Sequence, residues 1–262
     1  MKSLNLFAAV VVLSTTTAFA QGVGYTDTPQ IRGQKWLVHD KNRPNPPVVT
    51  SGATFSHGAP APSDATVLFD GSNLDAWVSD AGTAAEWTIA HGYAQVGGKG
   101  GIRTKQEFGD YQLHIEWAPP AEVKGESQGR GNSGVFMHGR FEVQVLDSYN
   151  NKSYADGQAG GIYGQWPPLV NPIKQPGEWN SYDIVFEAPH FDADGKLTKP
   201  AFVTVFFNGV CVHNRKEING PTDHRATSPY QAYSGKGPIA LQNHGNPTRY
   251  RNIWIRALGE YN

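Results

Sequence analysis

From Ala65 onward the chain is a succession of short runs in which apolar and polar residues alternate, separated by turn residues. The runs are TVLFD, AAEWTIAHGYAQVG, GIRTKQEF, YQLHIEWAP, SGVFMHG, FEVQVLD, WNSYDIVFEAP, AFVTVFFNGVCVHN, GPIALQN and YRNIWIRAL. A period of two marks strands with one buried face, and Gly, Pro, Asn and Asp punctuate the joints. No stretch of helical length shows a period of 3.6. Asn208-Gly209, between FVTVFF and VCVHN, predicts a hairpin with a type I′ turn, whose twist matches that of its strands. Many strands with almost no helix predict an all-β fold, a two-sheet antiparallel β-sandwich of jelly-roll type.

Two segments break the rhythm. Residues 21–64 contain NRPNPPVVTSGATFSHGAPAPSD and read as a Pro-rich N-terminal arm, within which KWLVHD is expected to dock as a short strand. Ser148–Glu178 is a long loop, and loops of that length inside a compact domain are usually functional or mobile. Ahead of the arm, Lys2, the run LFAAVVVL and the small-residue end TTTAFA make residues 1–20 a signal peptide. The run is too short for a membrane span. An exported chain starting near Gln21, periplasmic or extracellular, is expected, with the sandwich domain over 65–262.

Composition adds three constraints. The single cysteine, Cys211, allows no internal disulfide, so the domain must stand on its core, and the thiol reads as a buried inert one. A net charge of −1 gives no basic surface for nucleic acid. Seven Trp, eleven Tyr and twelve Phe suit a sandwich core, and also the stacking of aromatic faces on sugar rings.

Strand parity then picks out candidate chemistry. In FEVQVLD, Phe141, Val143 and Val145 take one face, while Glu142 and Gln144 share the other. Just upstream, GRGNSG offers Arg130, Asn132 and Ser133 beside glycines that permit close backbone approach. IALQNHG repeats the device with Gln242 and His244, and TRYRNIWIRAL follows with Arg251. Such amide-, imidazole- and guanidinium-rich sets suit directed hydrogen bonds to a polyol, so the expected partner is a carbohydrate. In YQLHIEWAPP the polar set Gln112, His114 and Glu116 reads as a solvated outer face. FDADGK lacks the acidic residue of a calcium loop, since Val203 stands at its twelfth position. ESQGRGNSG lacks the lysine and helix of a phosphate cradle. No G-x-S-x-G nucleophile motif occurs.

LFDGSNLDAW, GNSGVFMHGRFEVQVLDSY, YADGQAGGIYGQWPPLVN, GEWNSYDIVFEAP, FFNGVCVHN and GPIALQNHGNPTRYRNIWIR together resemble the 3-keto-disaccharide hydrolase domain family. The resemblance covers about Ala65 to Arg256. It implies a concanavalin A-like lectin/glucanase sandwich acting on glycosides whose sugar is oxidised at C3. A C3 carbonyl acidifies the C2 proton, so cleavage needs a base, support for an enolate oxygen and help for the leaving group, and one carboxylate suffices. The expected base is Glu142 or His244. Arg130, Arg251 or a divalent metal such as calcium would stabilise negative charge. Asn132, Gln144 and Gln242 would hold hydroxyls. Asp147 would orient His244 or Arg251, or bind metal, and Tyr149, Tyr163 and Trp166 would cover the sugar. Two other readings stay open: a non-catalytic lectin-like module, and a conventional endo-glucanase, whose second strand carboxylate is replaced here by Gln144.

Overall fold

A computed structural model describes residues 23–52 and 57–259, so the signal-peptide expectation lies outside the described residues. The described residues form fifteen strands in chain order. They are β1 (Thr66–Phe69), β2 (Trp77–Ser79), β3 (Thr88–Ala90), β4 (Tyr93–Gln95), β5 (Ile102–Thr104), β6 (Tyr111–Ala118), β7 (Ser133–Met137) and β8 (Phe141–Val145). Then follow β9 (Asn180–Glu187), β10 (His190–Phe191), β11 (Leu197–Lys199), β12 (Phe202–Phe207), β13 (Val210–Glu217), β14 (Ala240–Leu241) and β15 (Arg249–Ala257). The larger sheet runs β13-β12-β9-β6-β15-β4-β3, with β1 also on β15; the smaller runs β2-β5-β14-β7-β8, and β10 and β11 pair as a separate two-stranded ribbon. Every strand pair is antiparallel, as in the β-sandwich that the alternation predicts.

The core lies between the sheets. The larger sheet gives it Tyr111, Leu113, Ile115, Trp117, Tyr182, Phe186 and Phe207, and the smaller gives Val135, Met137, Phe141, Val143 and Val145. Each fully buried aliphatic side chain contributes about 1.5–3 kcal/mol. Two buried tyrosines of the larger sheet reach across it: Tyr182 Oη donates to the Gln144 carbonyl at 2.7 Å, and Tyr250 Oη to Ser133 Oγ at 2.7 Å. Both contacts fall on the strand pair β7–β8, which is thereby fixed in height against the core.

The β12–β13 hairpin closes through Asn208 (φ 50°) and Gly209 (φ 77°), the left-handed pair a type I′ turn requires. Cys211 on β13 is half-buried rather than buried, with Sγ 3.4 Å from the His213 carbonyl. The FDADGK turn joins β10 to β11, and Asp192 Oδ1 accepts from Asp194 N–H at 3.1 Å and Lys196 N–H at 2.9 Å. In the arm, KWLVHD forms isolated bridges, Gln30 to Leu37 and Tyr25 to Asp40, instead of a strand.

On β15 simple alternation fails. A bulge between Arg251 and Trp254 places Asn252 at φ 46°, so that Tyr250 and Ile253 both face the core. The outer face of β6 is not solvated as expected. His114 and Glu116 are fully buried there, because arm residues 57–59 lie over them.

The long loop shields the free edge of β8. Gly160 N–H donates to the Gln144 carbonyl at 2.9 Å, Gln144 N–H to the Gly161 carbonyl at 2.9 Å, and Tyr163 N–H to the Glu142 carbonyl at 3.1 Å. Residues 160–163 therefore act as an extra irregular strand, which covers an edge that would otherwise expose unpaired backbone.

Candidate active site

Glu142 and Gln144 project from β8 on the face away from the core, as their parity requires, yet both are buried. They line a cavity of about 390 Å³ together with Gln128, Asn132, Phe136, Tyr154, Tyr163, Thr222, Asp223, His224, Gln242 and His244. That volume falls in the range of small-molecule sites, about 300–1,000 Å³. Glu142 and His244, the two expected bases, thus share one hollow. They differ in exposure: Glu142 sits at the floor and His244 is exposed.

Local structure explains the position of Glu142. Gly134 lies opposite Gln144 on β7, and a methyl group there would collide with Glu142 Oε1 and lie 2.8 Å from the Phe136 ring. Only glycine lets the carboxylate lie down over the sheet. Thr222 fixes the strand end, because its Oγ1 accepts the Glu142 N–H at 3.0 Å and its own N–H donates to the Arg140 carbonyl at 3.0 Å. Among the described residues no side chain hydrogen-bonds the Glu142 carboxylate. Burial alone pushes it up to about 8.

The wall is built from amides and phenols. Gln128 Oε1 accepts from Gln144 Nε2 at 2.8 Å, and Asn132 Nδ2 donates to the Gln128 carbonyl at 2.7 Å. Two amide oxygens, Asn132 Oδ1 and Gln144 Oε1, are buried without a partner among the described residues. Such groups are rare in folded proteins and point to a function. Opposite, a chain runs from Tyr154 Oη to Tyr163 Oη at 2.9 Å and on to His224 Nδ1 at 3.1 Å. Burial raises both tyrosines above their ordinary value and lowers His224.

Behind the phenols the arm makes a contribution that sequence reasoning missed. His39, at φ 55°, is fully buried; its Nδ1 lies 2.9 Å from Asp156 Oδ1, and its N–H donates to Asp156 Oδ2 at 2.9 Å. Its ring is 3.9 Å from that of Tyr154 and 4.8 Å from that of Tyr163. Gln128, Tyr154, Asp156, Thr222, Asp223 and His224 also went unnoticed, since each lies in an aperiodic segment. The one available signal was the clustering of Gln, Tyr, His and Asp in loops that otherwise favour Gly, Pro and Ser.

Of the expected residues, Asn132, Gln144, Tyr163 and Gln242 line the cavity and five others do not. Arg130 Nε donates to Asp147 Oδ2 at 2.7 Å and its Nη2 to the Tyr149 carbonyl at 2.8 Å, while Asp147 Oδ1 accepts the Tyr149 N–H at 3.1 Å. This pair, with Asp147 buried and Arg130 partly so, closes the turn after β8. Asp147 has the parity of Val143 and Val145 rather than that of Glu142, so it orients neither His244 nor Arg251. Trp166 donates to the Glu217 carbonyl at 3.1 Å and carries Lys216 Nζ 3.3 Å above its ring. Arg251 belongs to the larger sheet, where its Nε donates to Glu116 at 2.8 Å. Among the described residues no three His, Cys, Asp or Glu side chains gather as metal donors.

Comparison with known proteins places the chain. A Bacteroides thetaiotaomicron protein named 3-keto-disaccharide hydrolase is 22% identical over an alignment 232 residues long that covers 73% of this chain and 77% of that protein. A crystal structure from Parabacteroides distasonis, of a protein classed provisionally as a glycosyl hydrolase, superimposes with a TM-score of 0.75 at 51% identity, covering 82% of this chain and 93% of its own. A second such protein from that organism shares the fold, with a TM-score of 0.54 at 24% identity over 74% of this chain and 99% of its own. Residues 64–256 match the 3-keto-alpha-glucoside-1,2-lyase-like domain family, and the chain belongs to that family.

Proposed function

We propose that this protein cleaves glycosides whose sugar carries a 3-keto group, with Glu142 as the base. One observation carries the reading: a buried carboxylate, pushed up to about 8 by desolvation and without a hydrogen-bond partner among the described residues, forms the floor of a sugar-sized polar cavity. The family description and the name of the Bacteroides relative support the substrate class.

The C3 carbonyl makes the C2 proton acidic. Glu142 takes that proton, and the C–H electron pair moves into the C2–C3 bond and onto the C3 oxygen. The pair returns to form a C1–C2 double bond as the C1–O bond breaks. The aglycone oxygen takes a proton and leaves as an alcohol. Water then adds at C1 and a proton returns to C2, which completes net hydrolysis. A base is most effective when its pKa lies near the working pH, and burial gives Glu142 that property. Tyr163, His224, Gln242 and His244 offer hydrogen bonds to the enolate oxygen or the departing oxygen. His244, exposed at the cavity, fits a role at the leaving group better than that of the base. Arg130 and Arg251, committed elsewhere, have no part in the scheme.

One observation favours a second reading. Asp223 lines the same cavity, so a pair of carboxylates, as in conventional glycoside hydrolysis, is present. Incubation with a native disaccharide and its 3-keto form decides between them. Release from the keto form alone supports elimination, release from the native form supports the carboxylate pair, and binding without release supports a lectin-like module. Export of the mature chain from near Gln21 belongs to this proposal, and N-terminal sequencing of protein from the medium or periplasm tests it.

A further inference from the structure

The phenols beside Glu142 belong to a hydrogen-bond chain that ends in the N-terminal arm. Ile162 pairs with Val143 across the covered edge of β8, and both side chains are buried in the core. Tyr163 therefore stands opposite Glu142 and on the same face, and directly opposed side chains have Cβ atoms about 4.5–5.5 Å apart. Tyr163 also lines the Glu142 cavity. A sugar whose C2 proton meets Glu142 has its C3 oxygen on the adjacent carbon, so the side chain beside the base is placed to meet that oxygen.

The partners available fix the direction of the chain. Tyr154 is buried, and among the described residues its hydroxyl has one hydrogen-bond partner, Tyr163 Oη at 2.9 Å. Tyr154 therefore donates and Tyr163 accepts. On the other side, Tyr163 Oη lies 3.1 Å from His224 Nδ1, and His224 Nε2 lies 3.5 Å from Tyr25 Oη in the arm. Burial lowers His224, which is therefore neutral, with one donor and one acceptor nitrogen. The Tyr25 hydroxyl donates to Nε2, so the ring proton sits on Nδ1 and faces Tyr163. Tyr163 Oη thus accepts two hydrogen bonds, and its own proton is left for the cavity. Burial raises this phenol above its ordinary value, so it keeps the proton at neutral pH.

The arm holds this arrangement from two sides. Arg225, next to His224, donates from Nη2 to both carboxylate oxygens of Asp27 at 2.9 Å, and its guanidinium lies 4.1 Å from the centre of the Tyr25 ring. His39 packs against Tyr154, and its partner Asp156 accepts the Gly164 N–H at 3.1 Å, immediately after Tyr163. Tyr25 and His39 both precede the family region, residues 64–256. We infer that Tyr163 donates the hydrogen bond that stabilises the C3 enolate oxygen, and that Tyr25 of the arm is a positioning residue, which through His224 turns the Tyr163 proton toward that oxygen. The inference rests on the proposed proton abstraction by Glu142. Two hydrogen bonds received at Oη polarise the Tyr163 O–H, so it gives more to a developing charge than a lone phenol would.

The test combines steady-state kinetics on a 3-keto disaccharide with ¹⁵N NMR of histidine-labelled protein, in which His224 is assigned by difference from His224→Gln. Tyr163→Phe is expected to lower kcat about a hundredfold or more, with KM changed less than about threefold. Tyr25→Phe keeps the ring and its contact with Arg225, and keeps the test open should Tyr163→Phe fail to fold. It is expected to lower kcat about five- to tenfold at nearly constant KM. The wild-type His224 ring is expected in the Nδ1–H form, and Tyr25→Phe should shift it toward Nε2–H. A Tyr163→Phe kcat within about twofold of wild type overturns the inference and leaves the reading of Glu142 standing. So does a wild-type His224 protonated at Nε2, because Tyr163 then gives its proton to Nδ1 and has none for the substrate. If the wild type cleaves no 3-keto disaccharide, the reading of Glu142 fails and this inference falls with it.

Discussion

Two glutamates, one on the outer face of each sheet, are both buried and have opposite surroundings. Glu116 on β6 accepts from Arg251 Nε at 2.8 Å, Asn252 Nδ2 at 2.9 Å and the Gly58 N–H at 2.6 Å. His114 Nε2 lies 3.4 Å away and its Nδ1 is 2.7 Å from Asp183. Burial pushes Glu116 up, but the bonds from His114, Asn252, Gly58 and Arg251 outweigh it and hold the carboxyl well below the usual range. Burial also pushes His114 down, but Asp183 and Glu116 outweigh that and raise it to about 9. Glu142 has burial and nothing to offset it, and rises to about 8. The comparison separates a carboxylate that holds the structure from one kept ready for chemistry. Burial is common to both, and partners decide the role.

The largest effect expected concerns activity. Glu142→Gln keeps shape and removes basicity, and should lower kcat for a 3-keto disaccharide by at least about a thousandfold, in line with the ~10²–10⁴ of a general base. The same variant should be more stable than wild type at alkaline pH. A carboxyl whose pKa is raised on folding stabilises the native state fully below its unfolded value, near 4.5, and loses that contribution as pH rises through 8. Thermal melts of the two proteins from pH 5 to 9 should therefore diverge upward.

Next in size, Glu116→Gln should cost about 3–5 kcal/mol at neutral pH, because it leaves Arg251 and His114 without their anion. Activity per folded molecule should stay at the wild-type level. For Glu116 the sign is reversed: its contribution is present above 4.5 and is lost as pH falls below it. That of His114 is present below 6.5 and is lost as pH rises through about 9. Denaturant titrations across that range check both directions. If Glu116→Gln abolished turnover in folded protein, the division of roles would break.

Smaller effects sharpen the picture. Gly134→Ala should displace the Glu142 carboxylate and lower kcat about tenfold or more, while costing about 1–3 kcal/mol through crowding, measured by kinetics and melts. His39→Gln leaves Asp156 with a weaker partner and should cost about 1–3 kcal/mol by denaturant titration, with a several-fold fall in kcat as the Tyr154–Tyr163 wall loosens.

How far the sequence carried the argument depends on periodicity. Alternation revealed both sheets, the Asn208-Gly209 hairpin and the shared face of Glu142 and Gln144, because each follows from local sterics. Alternation fails along β15, since the bulge at Asn252 shifts the count by one and leaves no mark in the residue types. The two-residue β14 and the short β2 owe their pairing to neighbours in space. Arg130 and Arg251 looked like anion binders because guanidinium chemistry is visible in sequence, while their commitments to Asp147 and Glu116 are not. The His39–Asp156 pair joins the arm to the long loop across 117 residues, and neither segment has a repeating pattern from which it could be read.

The central claim is that Glu142 is protonated near neutrality and becomes a base a little above it. Its carboxyl carbon can be followed directly by ¹³C NMR of labelled protein, assigned by difference from Glu142→Gln. A titration midpoint near 8, matched by a rise of kcat/KM through the same pH, is the predicted result. A midpoint between 4 and 5, the range of an ordinary exposed glutamate, would contradict it.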